Sequence, residues 1–369
     1  MKKLLTIVAL TASTFSAQAE VRINGFANLI GGITSSDETL FGYEDKISFS
    51  EESLFAVQVS GDINDKMTAT GQIVARANND YNAEFEWAYI TYAATDNISI
   101  SAGRLRLPLF KYSASLDVGY SYHWVNAPQS VYNVPFNNIE GVRVDYSNYA
   151  GDWEYNLQFA FGTFNNANET FVLSGKDVMV FTAEAQNEGF KVRGVLGRAK
   201  NTFSVPDLEP VFTGIETFIS PMLLDNLRME EDTGIFLGLG LEYDAYDWFV
   251  SGEITSVDTE DSFLTEDIAY YVTAGLRFGK FTPSLTYEAK ESDDALKFAN
   301  QINPLPASLQ GTIAVLEAAF ADDDETITLA LRYDLDTNVA LKADISKYSD
   351  NQAEINDATL IRVGVNYVF

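Results

Sequence analysis

The sequence predicts an all-β protein: a transmembrane antiparallel β-barrel of 16 strands with short periplasmic turns and long external loops. In the last segment, Ala358–Phe369, every second residue from Thr359 onward suits lipid, and the residues between are mostly small or polar. A period of two is that of a β-strand with one apolar and one wet face. The pattern recurs in sixteen segments, joined by connections that are alternately short and long. A closed barrel that spans a bilayer requires this rhythm.

Most of the sixteen segments have about the nine to eleven residues that a tilted strand needs to cross a bilayer. The predicted strands are Val21–Gly31, Ser53–Asp62, Met67–Ala77, Phe85–Ala94, Asn97–Arg104, Glu140–Ser147, Asp152–Gly162, Val178–Gln186, Phe190–Lys200, Gly234–Tyr243, Trp248–Val257, Ile268–Phe278, Phe281–Lys290, Thr326–Asp334, Asn338–Lys347 and Thr359–Phe369. A soluble β-sandwich shows similar alternation. Aromatic residues at the strand ends on the apolar face favour the membrane barrel, whose interfaces carry such girdles. They are Phe85, Trp87, Trp153, Tyr155, Tyr243, Trp248, Phe278, Phe281, Tyr333 and Tyr367.

Seven connections are tight and rich in Asn, Asp and Gly, as turns prefer. We expect these on the periplasmic side: Ile63–Lys66, Thr95–Asp96, Asn148–Gly151, Asn187–Gly189, Asp244–Asp247, Gly279–Lys280 and Leu335–Thr337. The longest of the eight external connections are Leu105–Ile139, Asn201–Thr233 and Glu291–Glu325. Within the last of these, Leu309–Phe320 is rich in Leu and Ala and follows two prolines, which favours a loop helix over an extra strand.

The beginning of the chain predicts export. Lys2 and Lys3 precede the apolar run Leu4–Ala12, and Ala17-Gln18-Ala19 precedes Glu20. This is the pattern of a secretory signal peptide cut after Ala19. We therefore expect a signal at residues 1–19 and one barrel domain at residues 20–369, in an outer membrane.

Composition argues against several functions. The chain has 53 acidic and 24 basic residues, and loss of Lys2 and Lys3 would take the formal net charge from −29 to −31. So negative a chain disfavours nucleic acid, and no nucleic-acid partner is expected. The chain has no cysteine and a single histidine, His123, and it lacks a G-x-S-x-G nucleophile motif. We expect no enzyme activity, no cofactor and no metal site.

The excess acid lies in the predicted external loops, for example at Glu51, Glu52, Glu230–Asp232 and Asp322–Glu325. Such runs concentrate cations at the mouth of a barrel. Because no EF-hand spacing is present, we interpret them as a solvated acidic surface without a defined calcium site.

The strand count, the loop rhythm and the terminal aromatic strand together resemble the general porins of Gram-negative outer membranes. The segments Gly103–Pro108 (GRLRLP) and Leu331–Asp334 (LRYD) also resemble sequences in porins of gamma-proteobacteria. The resemblance covers the whole mature chain. It implies a homotrimer in contact with outer-membrane lipid and lipopolysaccharide. It also implies that the last strand carries the signal read by the barrel-assembly machinery, here Val363, Val365, Tyr367 and Phe369.

A close approach of neighbouring barrels is consistent with small residues on the outward face of the first strand, namely Gly25, Ala27 and Gly31. The resemblance further implies that the loop after the fifth strand folds inward and narrows the channel. Here that loop is Leu105–Ile139, and its candidate pore residues are Arg106, Lys111, Asp117, Tyr120 and Tyr122. Asp117 is the only acidic residue in the loop, whereas several loop carboxylates are typical of the family, so the sequence departs from the family pattern here.

On the polar face of the strands, basic and acidic residues are nearly balanced. Strands 14, 15, 16, 1 and 3 come close together once a barrel closes, so a basic patch is expected from Arg332, Lys342, Arg362, Arg22 and Arg76. The alternative is that each cation pairs with a carboxylate on a neighbouring strand and keeps the lumen wet. Arg104 and Arg143 complete the candidate pore residues.

The predicted function is a water-filled channel for the passive diffusion of small hydrophilic solutes and ions, because sixteen strands leave an aqueous lumen. One alternative is a solute-selective channel, which the aromatic loop Leu105–Ile139 would suit. The other is a surface adhesin or phage-binding barrel, which would need a plugged lumen. For the channel we expect a weak cation preference that falls as salt rises, because exposed charges are screened over about 8–10 Å at physiological salt.

Overall fold

The computed structural model describes residues 20–36, 39–167, 171–260, 262–293, 307–318, 320–351 and 357–369. Within these ranges sixteen strands form one closed barrel, in which each strand pairs antiparallel with its neighbours in sequence and the last strand pairs with the first. The predicted fold class and strand number are confirmed. The predicted signal, residues 1–19, lies outside the described residues.

The strands are β1 (Val21–Thr34), β2 (Leu54–Asn64), β3 (Met67–Arg76), β4 (Ala83–Ala93), β5 (Ile98–Arg106), β6 (Asn138–Ala150), β7 (Trp153–Ala167), β8 (Val172–Asn187), β9 (Phe190–Ser204), β10 (Asp232–Asp244), β11 (Trp248–Thr259), β12 (Glu266–Leu276), β13 (Phe281–Asp293), β14 (Asp323–Asp336), β15 (Val339–Asp350) and β16 (Ala358–Val368). Several strands extend further at the long-loop end than the alternation indicated. The largest extension is in β8, which begins at Val172 instead of Val178, because residues 172–176 also pair with β7 or β9.

Among the described residues, four α-helices lie in the loops: α1 (Gln129–Tyr132), α2 (Glu209–Ile215), α3 (Pro221–Leu227) and α4 (Ala307–Ala318). Helix α4 confirms the predicted loop helix. None of the helices in the described part of the chain has the length and apolar content to cross a membrane.

The barrel exterior is apolar, as β10 illustrates. Leu237, Leu239 and Leu241 are 48%, 49% and 48% exposed, and they alternate with Gly238 and Gly240 on the lumen side. In a bilayer such a face lies against lipid.

The prediction that Trp87 belongs to the aromatic girdle on the barrel exterior is wrong. Trp87 is only 9% exposed, and the guanidinium of Arg106 lies 5.8 Å from its ring centroid. The pairing of β3 with β4 shifts register between Gln72 and Ile73, where Gln72 pairs with Trp87 but Ile73 pairs with Phe85. This bulge adds a residue to β4 and changes the face that Trp87 occupies.

Residues 107–137 leave β5 and fold into the barrel, which confirms the predicted inward loop; we call this segment the inner loop. The inner loop leaves β5 beside a row of three glycines on adjacent strands. In this row Gly103 pairs with Gly141, and Gly141 pairs with Gly162. A Cβ on Gly141 would lie 2.1 Å from the carbonyl oxygen of Phe161. Gly103 has a φ of +136°, a conformation that favours glycine. The row therefore allows β5, β6 and β7 to approach closely at this point.

Candidate functional site: the constriction

The inner loop contacts two chemically different parts of the lumen wall. We call the inward face of β14–β16 and β1–β5 the charged wall, and the inward face of the long-loop half of β7–β12 the apolar wall. Where the loop meets β1, the Asn28 side chain donates to the carbonyl oxygen of Asp117 at 2.9 Å. Where it meets β8 and β9, the carbonyl oxygen of Pro108 accepts hydrogen bonds from Thr182 at 3.0 Å and Arg193 at 2.6 Å. The loop is thus fixed on opposite sides of the lumen.

The first charged cluster joins the inner loop to β3, β4 and β5. Asp117 of the loop accepts from Arg76 at 2.8 Å and from Arg106 at 2.6 Å. The same two arginines bind Glu86, at 2.8 Å and 3.0 Å. Two guanidiniums and two carboxylates therefore form a closed, charge-balanced square.

The second charged cluster lies on β15, β16 and the end of the first external loop. Arg362 binds Asp344 through two hydrogen bonds of 3.0 Å and 2.9 Å, and it binds Glu52 at 2.8 Å. The side chains of Arg362 and Asp344 are 6% and 0% exposed. Glu52 also accepts from Tyr43 at 2.9 Å and from Asn126 of the inner loop at 2.7 Å. Sequence reasoning assigned Glu52 to the acidic mouth and did not find this role.

Two other predicted cations hold backbone carbonyls of the inner loop. Lys342 donates to the carbonyl oxygens of Gly119 and Trp124, the latter at 2.6 Å. Arg332 donates to the carbonyl oxygens of Tyr120 and Tyr122, at 2.6 Å and 2.8 Å. These cations anchor the loop instead of forming an open basic surface.

The apolar wall packs against the other side of the inner loop. Its buried residues are Phe164, Leu173, Val178, Val180, Val195, Phe236, Ala269 and Tyr271. The loop contributes Leu107, Leu109, Phe110, Tyr122, Trp124, Val131 and Tyr132 to the contact. Because the wall residues occupy lumen-facing positions of membrane strands, this side of the lumen is unusually apolar for a water-filled barrel.

Polar groups of β10, β11 and β12 complete the contact below the apolar wall. The Lys111 side chain contacts the Glu242 carboxylate and donates to Ser251 at 3.0 Å, and its backbone N–H donates to Glu253 at 2.9 Å. Tyr132 also donates to Glu253. Burial lowers the pKa of Lys111 to about 8, although the negative charge of Glu253 opposes this shift.

His123 is a structural residue of the inner loop. Its Nε2 lies 3.2 Å from Oγ1 of Thr273, and its ring centroid lies 4.0 Å from that of Trp124. Burial lowers its pKa well below the usual value, and nearby Lys342 acts in the same direction. A neutral, aromatic-packed imidazole stabilises the loop against β12.

Three predicted pore residues lie apart from these clusters. Arg22 pairs with Asp62 at 2.9 Å, and Arg143 pairs with Asp145 at 3.0 Å. Arg104 pairs with Glu140 at 2.9 Å. In the pairing of β5 with β6, Arg104 and Glu140 are each two residues from the partners Ala102 and Val142, and residues two apart in a strand share a face. Val142 is exposed on the barrel exterior. Arg104 therefore shares the outward face and does not join the lumen residues.

Two polar cavities lie on opposite faces of the inner loop. The cavity toward the long-loop end is about 190 Å³ and is lined by Asn28, Glu52, Arg76, Asp117, Asn126 and Gln129. The cavity toward the short-turn end is about 370 Å³ and is lined by Tyr112, His123, Asp244, Arg277 and Asp334. Tyr122 lines both cavities. Tyr122 therefore lies between the two polar cavities.

Comparisons with known proteins agree with this architecture. The family model of the Gram-negative porins matches residues 5–369. No curated protein matches. Among solved structures, the chain is similar to the Salmonella typhi OmpF complex with daunomycin, at 15% identity and a TM-score of 0.58, covering 95% of this chain and 98% of that one.

Two further solved structures are similar in the same way. The anion-selective porin from Comamonas acidovorans has 13% identity and a TM-score of 0.58, with 95% of this chain and 100% of that chain covered. The trimer form of in-vitro folded Vibrio cholerae OmpT has 12% identity and a TM-score of 0.56, with 95% and 99% covered. At these identities the likeness shows a shared fold. Because the family model spans nearly the whole chain and the barrel has the matching architecture, this chain belongs to the Gram-negative porin family and forms an outer-membrane channel for the passive diffusion of small hydrophilic solutes.

Proposed function

We propose that ions and hydrophilic solutes pass along the charged wall, beside Tyr122, and that the channel weakly prefers cations. The observation that carries this proposal is the charge count of the two clusters. The three arginines Arg76, Arg106 and Arg362 bind four carboxylates, those of Glu86, Asp117, Asp344 and Glu52. The excess is a single negative charge, and the acidic external loops have the same sign.

Zero-current potential across a KCl gradient tests the proposed selectivity. We expect a modest cation preference in wild type that falls as salt rises from 0.1 M to 1 M, because the Debye length falls from about 10 Å to about 3 Å. Asp117→Asn should reduce the preference, and the matched control Glu140→Gln, outside the lumen, should leave it unchanged. Anion preference in wild type would overturn the proposal.

We also propose that the protein is a homotrimer, but the contact surface differs from the small-residue face of β1 that the sequence indicated. Gly25 and Gly31 of β1 do not offer bare backbone, since a Cβ on Gly25 would lie 2.2 Å from the ring of Phe369 and one on Gly31 would lie 2.6 Å from the ring of Phe49. We therefore assign the contact to the exposed apolar residues around these rings, which are Ile23, Leu29, Phe49, Phe55 and Phe369.

Native mass measurement in gentle detergent tests the trimer. Leu29→Gln should dissociate it, whereas Leu239→Gln, at a similarly exposed position on β10, should not. A wild-type monomer would contradict the proposal. Elsewhere, the exposed apolar belt is the surface that we propose contacts lipid and, in the outer leaflet, lipopolysaccharide.

We propose that the last strand directs assembly. Val363, Val365, Tyr367 and Phe369 all lie on the exterior, and the Phe369 ring is 6.0 Å from that of Phe55, across the seam where β16 meets β1. Phe369→Ala should lower the amount of membrane-inserted barrel relative to Phe278→Ala, a matched loss of an exposed phenylalanine. Equal insertion of the two variants would refute this role.

We propose, finally, that the barrel has no catalytic activity. Its one histidine is neutral, buried and packed against Trp124, as described above. Hydrolysis of model ester or peptide substrates by purified protein that His123→Gln abolishes would contradict this.

A further inference from the structure

A cavity of about 490 Å³ lies at the long-loop end, between the apolar wall and the inner loop. Leu173, Val178, Phe203 and Phe236 line it from the barrel, and Val134 and Phe136 line it from the loop. A vestibule that only passes ions and sugars gains nothing from such a lining, because apolar surface in contact with water is unfavourable. Its volume lies in the range of sites for drug-sized ligands.

The rim of this cavity indicates which ligands it would accept. Asn201 lines it, and the Oδ1 of Asn201 is buried without a hydrogen-bond partner among the described residues. A buried acceptor of this kind calls for a donor. Lys290, also on the rim, lies between Asp267, at 3.1 Å, and Asp322. Two carboxylates thus surround one ammonium, and this part of the rim has an excess of negative charge. The other charged lining residue, Arg198, is exposed and shares the outward parity of Leu196.

We propose that this apolar vestibule binds small cationic amphiphiles. The aromatic or aliphatic body of the ligand lies against Leu173, Val178 and Phe236, and its ammonium end faces the rim that contains Asn201 and Asp267. The apolar body supplies most of the affinity through buried area. The rim supplies discrimination, because a carboxylate end would meet like charge and an unpaired acceptor.

Equilibrium dialysis of 4-phenylbutylamine against the protein in lipid nanodiscs tests the proposal, with empty nanodiscs to subtract partition into lipid. We expect saturable binding, with 4-phenylbutanoate and butylamine at least about tenfold weaker, because the first carries the opposite charge and the second lacks the apolar body. Binding of the carboxylate as tight as that of the amine would overturn the assignment of the rim.

Two variants test the location. Val178→Thr with Val180→Thr keeps the side-chain shape and adds hydroxyls to the cavity wall, and Ala199→Phe fills the cavity. We expect each to weaken binding at least about fivefold, in line with the loss of apolar contact area. The control Val142→Thr with Val144→Thr lies on the exposed exterior of β6 and should bind as wild type does. Unchanged affinity in both cavity variants, with folding verified by gel mobility, would overturn the proposal.

This experiment stands apart from the proposed selectivity. Dialysis measures binding without any current. An anion-preferring channel that still binds the amphiphile would contradict only the proposed selectivity, and a cation-preferring channel that does not bind it would contradict only the amphiphile site.

Discussion

The charged wall and the apolar wall hold the same inner loop by different physical means. On the charged wall, arginine and lysine side chains bind loop carboxylates and carbonyl oxygens with fixed geometry, as Arg106 does with Asp117 and Lys342 with Trp124. On the apolar wall, Val180, Phe236 and their neighbours pack against Phe110 and Leu109 with no such directionality. Charged contacts fail when one partner is removed, because the other charge is left buried and unpaired. Apolar contacts tolerate changes that keep volume.

The largest loss of unfolding free energy is expected for Arg362→Ala. It leaves the Asp344 carboxylate, with a fully buried side chain, and Glu52 without their cation. Loss of one partner of a buried pair costs about 3–5 kcal/mol of unfolding free energy. The control Arg22→Ala breaks the Asp62 pair, whose side chains are 43% and 35% exposed, and should cost far less because solvent screens this pair. Denaturant unfolding in detergent, followed by gel mobility, measures both, and equal losses would contradict the contrast.

A smaller loss is expected for Lys342→Met, which removes the hydrogen bonds to the carbonyl oxygens of Gly119 and Trp124. Hydrogen bonds to charged groups contribute about 1.5–3 kcal/mol, and the loss stays below that of Arg362→Ala because the change leaves neutral carbonyl oxygens, not a buried charge, unpaired and Met refills part of the volume. The loop should loosen, so single-channel recordings should show more frequent current fluctuations than wild type. Lys347→Met, at an exposed position on the same strand, is the control. A frequency of current fluctuations equal to that of wild type in the Lys342 variant would indicate that the loop does not depend on this anchor.

On the apolar wall, Leu173→Met should change little. The residue is buried in the cluster that contacts the loop, and a swap of similar volume costs less than about 1.5 kcal/mol. Thermal unfolding of this variant beside Arg362→Lys tests the comparison directly, since lysine cannot reproduce the paired bonds of Arg362 to Asp344. A greater loss for Leu173→Met than for Arg362→Lys would reverse our ordering of the two walls.

The smallest expected effect is a dependence of cation preference on pH. Burial holds the pKa of Lys111 at about 8, below its usual 10.5. A lowered lysine pKa means that the folded state binds fewer protons than the unfolded state between pH 8 and 10.5, so this residue's contribution to the unfolding free energy rises with pH in that window. Loss of its charge also makes the constriction more negative. Cation preference should therefore increase from pH 7 to pH 9 in wild type and not in Lys111→Met, and an identical pH response in both would rule out Lys111.

Most of the barrel could be predicted from the sequence because alternation and turn chemistry are local properties of each strand. The number of strands, the inward loop and helix α4 followed from them and from the family resemblance. The partners of Arg362 and Arg76 could not be predicted, since alternation assigns a face but no height in the barrel. The bulge at Trp87 also escapes a strict period of two, whereas the outward position of Arg104 follows from that period. The apolar wall did leave a signal, because Val178, Val195 and Phe236 are apolar residues on the lumen-facing parity.

The central claim is that current follows the charged wall and not the apolar wall. The chain has no cysteine, so each introduced thiol is unique. Gln129→Cys lies in the polar cavity beside the charged wall, and Val178→Cys lies on the apolar wall. With a charged methanethiosulfonate reagent added from the external side during bilayer recording, we predict rapid loss of conductance for Gln129→Cys and slow, small change for Val178→Cys. Rapid block at Val178→Cys with no effect at Gln129→Cys would contradict the account.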